Sequence, residues 1–83
     1  MTAGQSDTQR VRHRVAAQVR RLRVGRQMTQ EAAAGAADIT VRHFRKVEAG
    51  EVNLTLDTLV KVATALGVDV AELLQRRAGE GEG

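Results

Sequence analysis

Within Val41-Arg42-His43-Phe44-Arg45-Lys46-Val47, the two large apolar side chains Phe44 and Val47 stand three apart. That spacing puts them on one face of a helix and leaves Val41, Arg42, His43, Arg45 and Lys46 around the outside. A guanidinium offers a planar fork of donors and an ammonium a compact point charge, so such a face suits anions and hydrogen-bond acceptors. It does not suit catalysis. The chain has no cysteine and no tyrosine, and its single serine is Ser6. Neither His13 nor His43 stands in a recognisable motif with a nucleophile. Two histidines without a thiolate make no metal site, and the glycine-rich stretch near the C-terminus (GEGEG) carries acids where a phosphate loop needs free amides. The residues imply no enzyme, no metal and no cofactor.

Charge along the chain supports a binding role. Residues 1–46 carry ten Lys/Arg against Asp7, Glu31 and Asp38, a balance of +7. Residues 47–83 carry Lys61, Arg76 and Arg77 against seven acids, a balance of −4. A half that basic is a candidate polyanion-binding face, the alternative being a solvated helix face rich in arginine.

The elements that must position these side chains follow from composition and period. The chain has 83 residues, 42% hydrophobic, with one aromatic and no proline. That makes one small domain held by packing alone or by a partner chain, since no disulfide can form. Apolar runs are too short to span a membrane, and the charged N-terminus lacks an apolar signal core. A cytoplasmic, nucleoid-associated, all-α protein is expected.

Met1–Thr8 reads as a flexible arm, residues 9–77 as the domain and residues 78–83 as a disordered tail. Val11, Val15, Val19 and Leu22 predict a first helix over 10–24, stopped by Gly25. Thr29 caps a short alanine-rich second helix, Gln30–Ala37. After Asp38 and Ile39, Thr40 caps a third helix through Ala49, with Ile39 and Phe44 as its hydrophobic staple and Gly50 as its stop. Thr55 caps a fourth, whose Leu59, Val62, Ala63 and Leu66 face inward, and Gly67 ends it. Asp69 opens a fifth helix running to about Arg76, with Glu72 completing a capping box and Val68 and Leu73 a staple.

Two short helices joined by a tight turn, the second bearing cations, describe a helix-turn-helix. The segment TQEAAAGAADITVRHFRKVEAG also resembles the lambda-repressor-like, Cro/C1-type (XRE) family. The shared pattern is the Thr29-Gln30-Glu31 opening, the small Ala34, the apolar Ile39, Phe44 and Val47, and then Glu48-x-Gly50. Upstream VRRLR and downstream LDTLVKVATALGVDVAELL resemble the family's outer helices, so the likeness covers residues 15–74. Asp38 stands where glycine is common at the turn, Ala33 and Ala37 where larger aliphatics are common, and Leu54 where proline is.

The resemblance implies a five-helix DNA-binding domain. A major groove about 12 Å wide admits one helix. If the third helix enters it, Arg42 is the first candidate for base readout, then Lys46 and Arg45, with Val41 against a thymine methyl. The alternative for each is a phosphate contact or plain exposure. Gln30 resembles the family's backbone-contacting glutamine; Thr29, Thr40, His43 and Asn53 are further phosphate candidates. Arg23 and Glu48 stand where the family pairs an arginine with the glutamate after the recognition helix, a structural ion pair.

So small a domain contacts few bases. A homodimer on a palindrome of double-stranded DNA doubles them, with half-sites about 34–36 Å apart or a multiple of that. Val68, Val70, Leu73 and Leu74 are the candidate dimer surface, or they close the monomer core. With no effector segment in sight, regulation by a small molecule is not expected. The competing reading is a protein-interaction module of the same fold, partnered by a toxin or another regulator.

Overall fold

The computed structural model describes residues 3–76. Five helices follow one another: α1 (Ala3–Gly25), α2 (Gln30–Ala37), α3 (Val41–Ala49), α4 (Leu56–Leu66) and α5 (Val70–Leu73). There is no strand among the described residues, and none of their helices is long and apolar enough to cross a membrane. The all-α, five-helix expectation holds.

Local chemistry sets most of the boundaries. Thr29, Thr40 and Thr55 each accept a bond from a backbone N–H three residues on, at 2.9, 3.0 and 3.1 Å. Each satisfies one of the amides that a helix start leaves without a partner. Gly50 and Gly67 close α3 and α4 at φ 72°, the left-handed conformation that glycine adopts without strain. Asp38 closes α2 at φ 58°, ψ 45°. Its short polar side chain tolerates that region better than most, so the turn survives without a glycine.

Two boundaries differ from the sequence expectation. The first helix begins at Ala3, so residues 3–8, read above as an arm, continue α1. Extending a formed helix adds a hydrogen bond for each residue fixed, which a polar sequence without proline permits. Arg10 and Asp7, one turn apart, add an ion pair at 3.1 Å. The fifth helix, in contrast, is a single turn and does not run to Arg76. Asp69 Oδ1 accepts from Ala71 N at 3.0 Å, and Leu74 caps the turn with its amide on the Ala71 carbonyl. The tail expected over 78–83 lies outside the described residues.

The core gathers one face from every helix. Val15 and Val19 of α1, Phe44 and Val47 of α3, Val62 and Leu66 of α4, and Leu73 of α5 are all fully buried. α2 contributes only Ala33, Ala34 and Ala37, so it sits close against α3 and α4. Gly35 plays no part in that approach, because a Cβ there would meet nothing within 4 Å. Gln18 is a buried polar exception. Its Nε2 donates to the Gln75 carbonyl at 2.9 Å and its Oε1 accepts from Arg21 Nε at 2.8 Å, tying the chain after α5 onto α1.

Candidate nucleic-acid interface

The α2–turn–α3 unit is built from its caps outward. The Ile39 amide donates to the Ala34 carbonyl at 3.1 Å and the Asp38 amide to that of Gly35 at 3.2 Å. Those bonds close α2 and redirect the chain within two residues. Ile39 is half-buried against the core and Phe44 fully buried. They anchor α3 by its underside and first turn.

On the opposite side Arg42, Arg45 and Lys46 are exposed. Thr40, Arg42, His43 and Lys46 line one shallow depression of about 230 Å³ at the start of α3. Four of the sequence candidates are therefore brought together beside a helix N-terminus, where backbone N–H groups and the helix dipole favour anionic oxygens. Arg42 and Lys46 make no side-chain hydrogen bond or ion pair with other described residues.

The far flank of α3 is different. Arg23 of α1 donates through Nε to Glu48 Oε2 at 2.5 Å and through Nη1 to the Met28 carbonyl at 2.7 Å. Gln30 Nε2 donates to Glu48 Oε1 at 2.9 Å, while Gln30 Oε1 accepts from Arg45 Nε at 3.2 Å. Arg45 Nη2 lies 3.2 Å from Glu31 Oε2. This chain of contacts links α1, α2 and α3. Its inner pair is largely dry, with the side chains of Arg23 and Glu48 only 12% and 4% exposed. A buried carboxylate with several donors holds its neighbours in fixed places.

The remaining candidates fall as follows. Thr29 and Thr40 spend their side-chain oxygens as caps, which leaves their hydroxyl protons to donate. Asn53 is exposed in the loop after α3, and its Oδ1 accepts from Arg12 Nη1 at 3.2 Å. His43 is half-buried. Val41, expected on the outside, is half-buried and packs against the core. Its position in the first turn leans it back toward the chain entering α3.

Of the two readings of Val68, Val70, Leu73 and Leu74, burial favours closing the monomer core for all but Leu74. Leu73 is fully buried in its own chain, and Val68 and Val70 are half-buried against the core; Leu74 alone is exposed, at 41%. The exposed large apolar residues of α4 are instead Leu56 (72%) and Val60 (47%), four residues apart on one face.

Sequence reasoning missed Gln18, although it interrupts the apolar stripe formed by Val15, Val19 and Leu22. It also missed the Glu31–Arg45 contact, which joins two helices and leaves no periodic signal. His13 is exposed, yet its ring lies over Gly50, where a Cβ would meet its Cδ2 at 2.6 Å.

Comparison with known proteins agrees with this geometry. The helix-turn-helix family model HTH_3 matches residues 19–73. Among solved structures, the restriction-modification controller protein C.AhdI from Aeromonas hydrophila is similar at 29% identity and a TM-score of 0.72, over 75% of this chain and 94% of that one. The hypothetical transcription factor NHTF from Neisseria is similar at 29% and 0.79, over 82% and 78%. The clp gene regulator ClgR from C. glutamicum is similar at 26% and 0.73, over 77% and 83%. No curated protein sequence matches significantly. The capped α2–turn–α3 unit, its apolar anchor and the matched family model make this chain a member of the Cro/C1-type (XRE) helix-turn-helix family, DNA-binding transcriptional regulators rather than enzymes.

Proposed function

We propose that this regulator reads double-stranded DNA sequence-specifically by laying α3 in the major groove, as a homodimer on a palindromic operator. The observation that carries this reading is the division of α3. Phe44 and Val47 are buried at 0% and 2% exposure, while Arg42 and Lys46 stand exposed and uncommitted. Arg42 takes the base-reading role, since a guanidinium can bond guanine O6 and N7 together, and Lys46 supports it one turn on. Val41 is left with at most an edge-on contact to a thymine methyl.

Gln30, Thr29, Thr40, His43 and Asn53 take phosphates. The helix N-termini behind the threonines supply further donors. Arg45 reaches DNA only by exchanging Glu31, so it joins as a phosphate or base contact after that pair opens. Leu56 and Val60 supply the apolar surface for the homodimer.

Selection of bound duplexes from a random pool tests this directly. The expected result is a two-fold symmetric motif with half-sites about one helical turn, 34–36 Å, or a multiple of it apart. Affinity for that motif should fall steeply with salt, with a slope set by the phosphates neutralised. An enriched pool without symmetry removes the homodimer. Indifference to duplex DNA at low salt removes the whole reading.

A further inference from the structure

α1, the loop after α3, the start of α4 and the end of α5 surround a second cavity of about 390 Å³. Its walls are mostly aliphatic: Val11 and Val15 of α1, Leu54 of the loop, Leu59 of α4, and Leu74. Val11 and Leu74 leave 39% and 41% of their surface exposed. The cavity falls within the roughly 300–1,000 Å³ typical of small-molecule sites, which join apolar walls to a few fixed polar groups.

Arg12 supplies the polar group. Its Nη1 donates to neutral Asn53, and its buried Nε has no hydrogen-bond partner among the described residues. An orphaned buried donor calls for an explanation, and a missing acceptor is the simplest. The one carboxylate on the lining, Asp7, is committed to Arg10. The cavity therefore presents aliphatic walls and one cation that no acid of the described chain neutralises.

We propose that this cavity is a binding site for a small amphipathic monocarboxylate, its hydrocarbon part against Val15, Leu54 and Leu59 and its carboxylate on the Nε edge of Arg12. Planar guanidinium and planar carboxylate match in two parallel hydrogen bonds, and burial strengthens both. The same guanidinium holds Asn53 in the loop that leaves α3. An occupant on the Nε edge leaves the Nη1–Asn53 bond in place and reaches residues 51–54 through the shared guanidinium. Small-molecule control, not expected from the sequence, then has a route into the domain itself.

The test uses the full 83-residue protein, labelled with nitrogen-15 and without DNA, so its outcome is independent of whether the protein binds an operator. Sodium octanoate is titrated against 1-octanol (the same chain without charge) and sodium acetate (the same charge without the chain). Expected are saturable shifts of the Val11, Arg12, Val15, Asn53, Leu54 and Leu59 amides and of the Asn53 side-chain amide. Octanoate should bind at least tenfold tighter than either control. Arg12→Met, which keeps the apolar stem, should abolish the preference over octanol, and Arg12→Lys should restore part of it, both with unchanged thermal unfolding.

Equal binding of octanoate and octanol overturns the proposal, as does a preference that survives Arg12→Met. Octanoate shifts confined to α3 would mean only an anion on the basic face, and overturn it too. So would no saturable binding together with a dimer that Leu74→Asp dissociates, since a second copy would then occupy the cavity.

Discussion

The two flanks of α3 carry the same kinds of side chain and use them in opposite ways. On one flank Arg45 and Glu48 are wired through Gln30, Glu31 and Arg23 into α2 and α1. On the other, Arg42 and Lys46 meet no described partner. A charge satisfied inside the molecule fixes geometry, and a charge left unsatisfied at the surface is available to something outside it. Cation count therefore overstates the binding face. Of the three basic residues of α3, the structure leaves two free and holds one.

The sharpest way to break this comparison is to remove the anchor of the wired flank. Glu48→Ala leaves Arg23 as a largely buried cation without its acid, and Gln30 Nε2 loses its acceptor. Unfolding in urea should show a loss of about 3–5 kcal/mol, the usual cost of breaking one partner from a buried pair. The double variant Arg23→Met, Glu48→Leu should cost less than the sum of the single changes. Strict additivity in that cycle would mean that the pair contributes nothing as a pair.

On the free flank the effect should appear in binding and not in folding. Arg42→Ala should leave thermal unfolding within about 0.5 kcal/mol of the parent, as exposed substitutions do. It should weaken binding to the selected operator by about 1–3 kcal/mol and relax preference at one base pair. If Arg42→Ala weakens all duplexes equally, Arg42 is a phosphate contact. Gln30→Ala, in contrast, should lower affinity for every sequence alike, because it unseats both Glu48 and Arg45. A changed preference after Gln30→Ala would place that side chain at a base edge.

Gly50 ends α3 between the flanks. Any side chain there meets the left-handed backbone at φ 72° and the His13 ring, 2.6 Å from where a Cβ would lie. The backbone conformation alone costs a non-glycine residue about 1–2 kcal/mol. Gly50→Ala should therefore destabilise by about that amount or more. Adding His13→Ala should recover the steric part and leave the backbone part. Full recovery would show that the ring, and not φ, sets the requirement for glycine.

Much of this arrangement was legible in the residues. The three threonine caps, the two glycine stops and the spacing of Phe44 and Val47 each act within four or five positions of the chain, so the sequence displays them directly. The Arg23–Glu48 pairing was accessible only through resemblance, since nothing in periodicity joins residues 25 apart. What stayed hidden depends on tertiary distance. Leu73 and Leu74 are adjacent and chemically alike, yet one fills the core and the other faces solvent, because α5 stops after one turn. Val41 looked external by helical angle, but it is half-buried against the core. The cavity beside Arg12 forms where four elements meet, and no local pattern encodes it.

The smallest effect is the finest test of the two-flank distinction. Glu31 and Arg45 form an exposed pair, 64% and 56% accessible, so its contribution to stability is at most about 1 kcal/mol and salt should erode it. Glu31→Gln keeps the shape, removes the charge and releases Arg45 from an ionic partner. Folding stability should barely move. Affinity for unselected duplex DNA should rise several-fold at low salt, and the salt slope should steepen by about one phosphate's worth as the released Arg45 gains a phosphate. If Arg45 instead reaches a base once freed, the gain will be confined to sequences carrying one particular base pair. If neither affinity nor slope changes, Arg45 is held by Gln30 alone, and the wired flank stays closed with or without the acid.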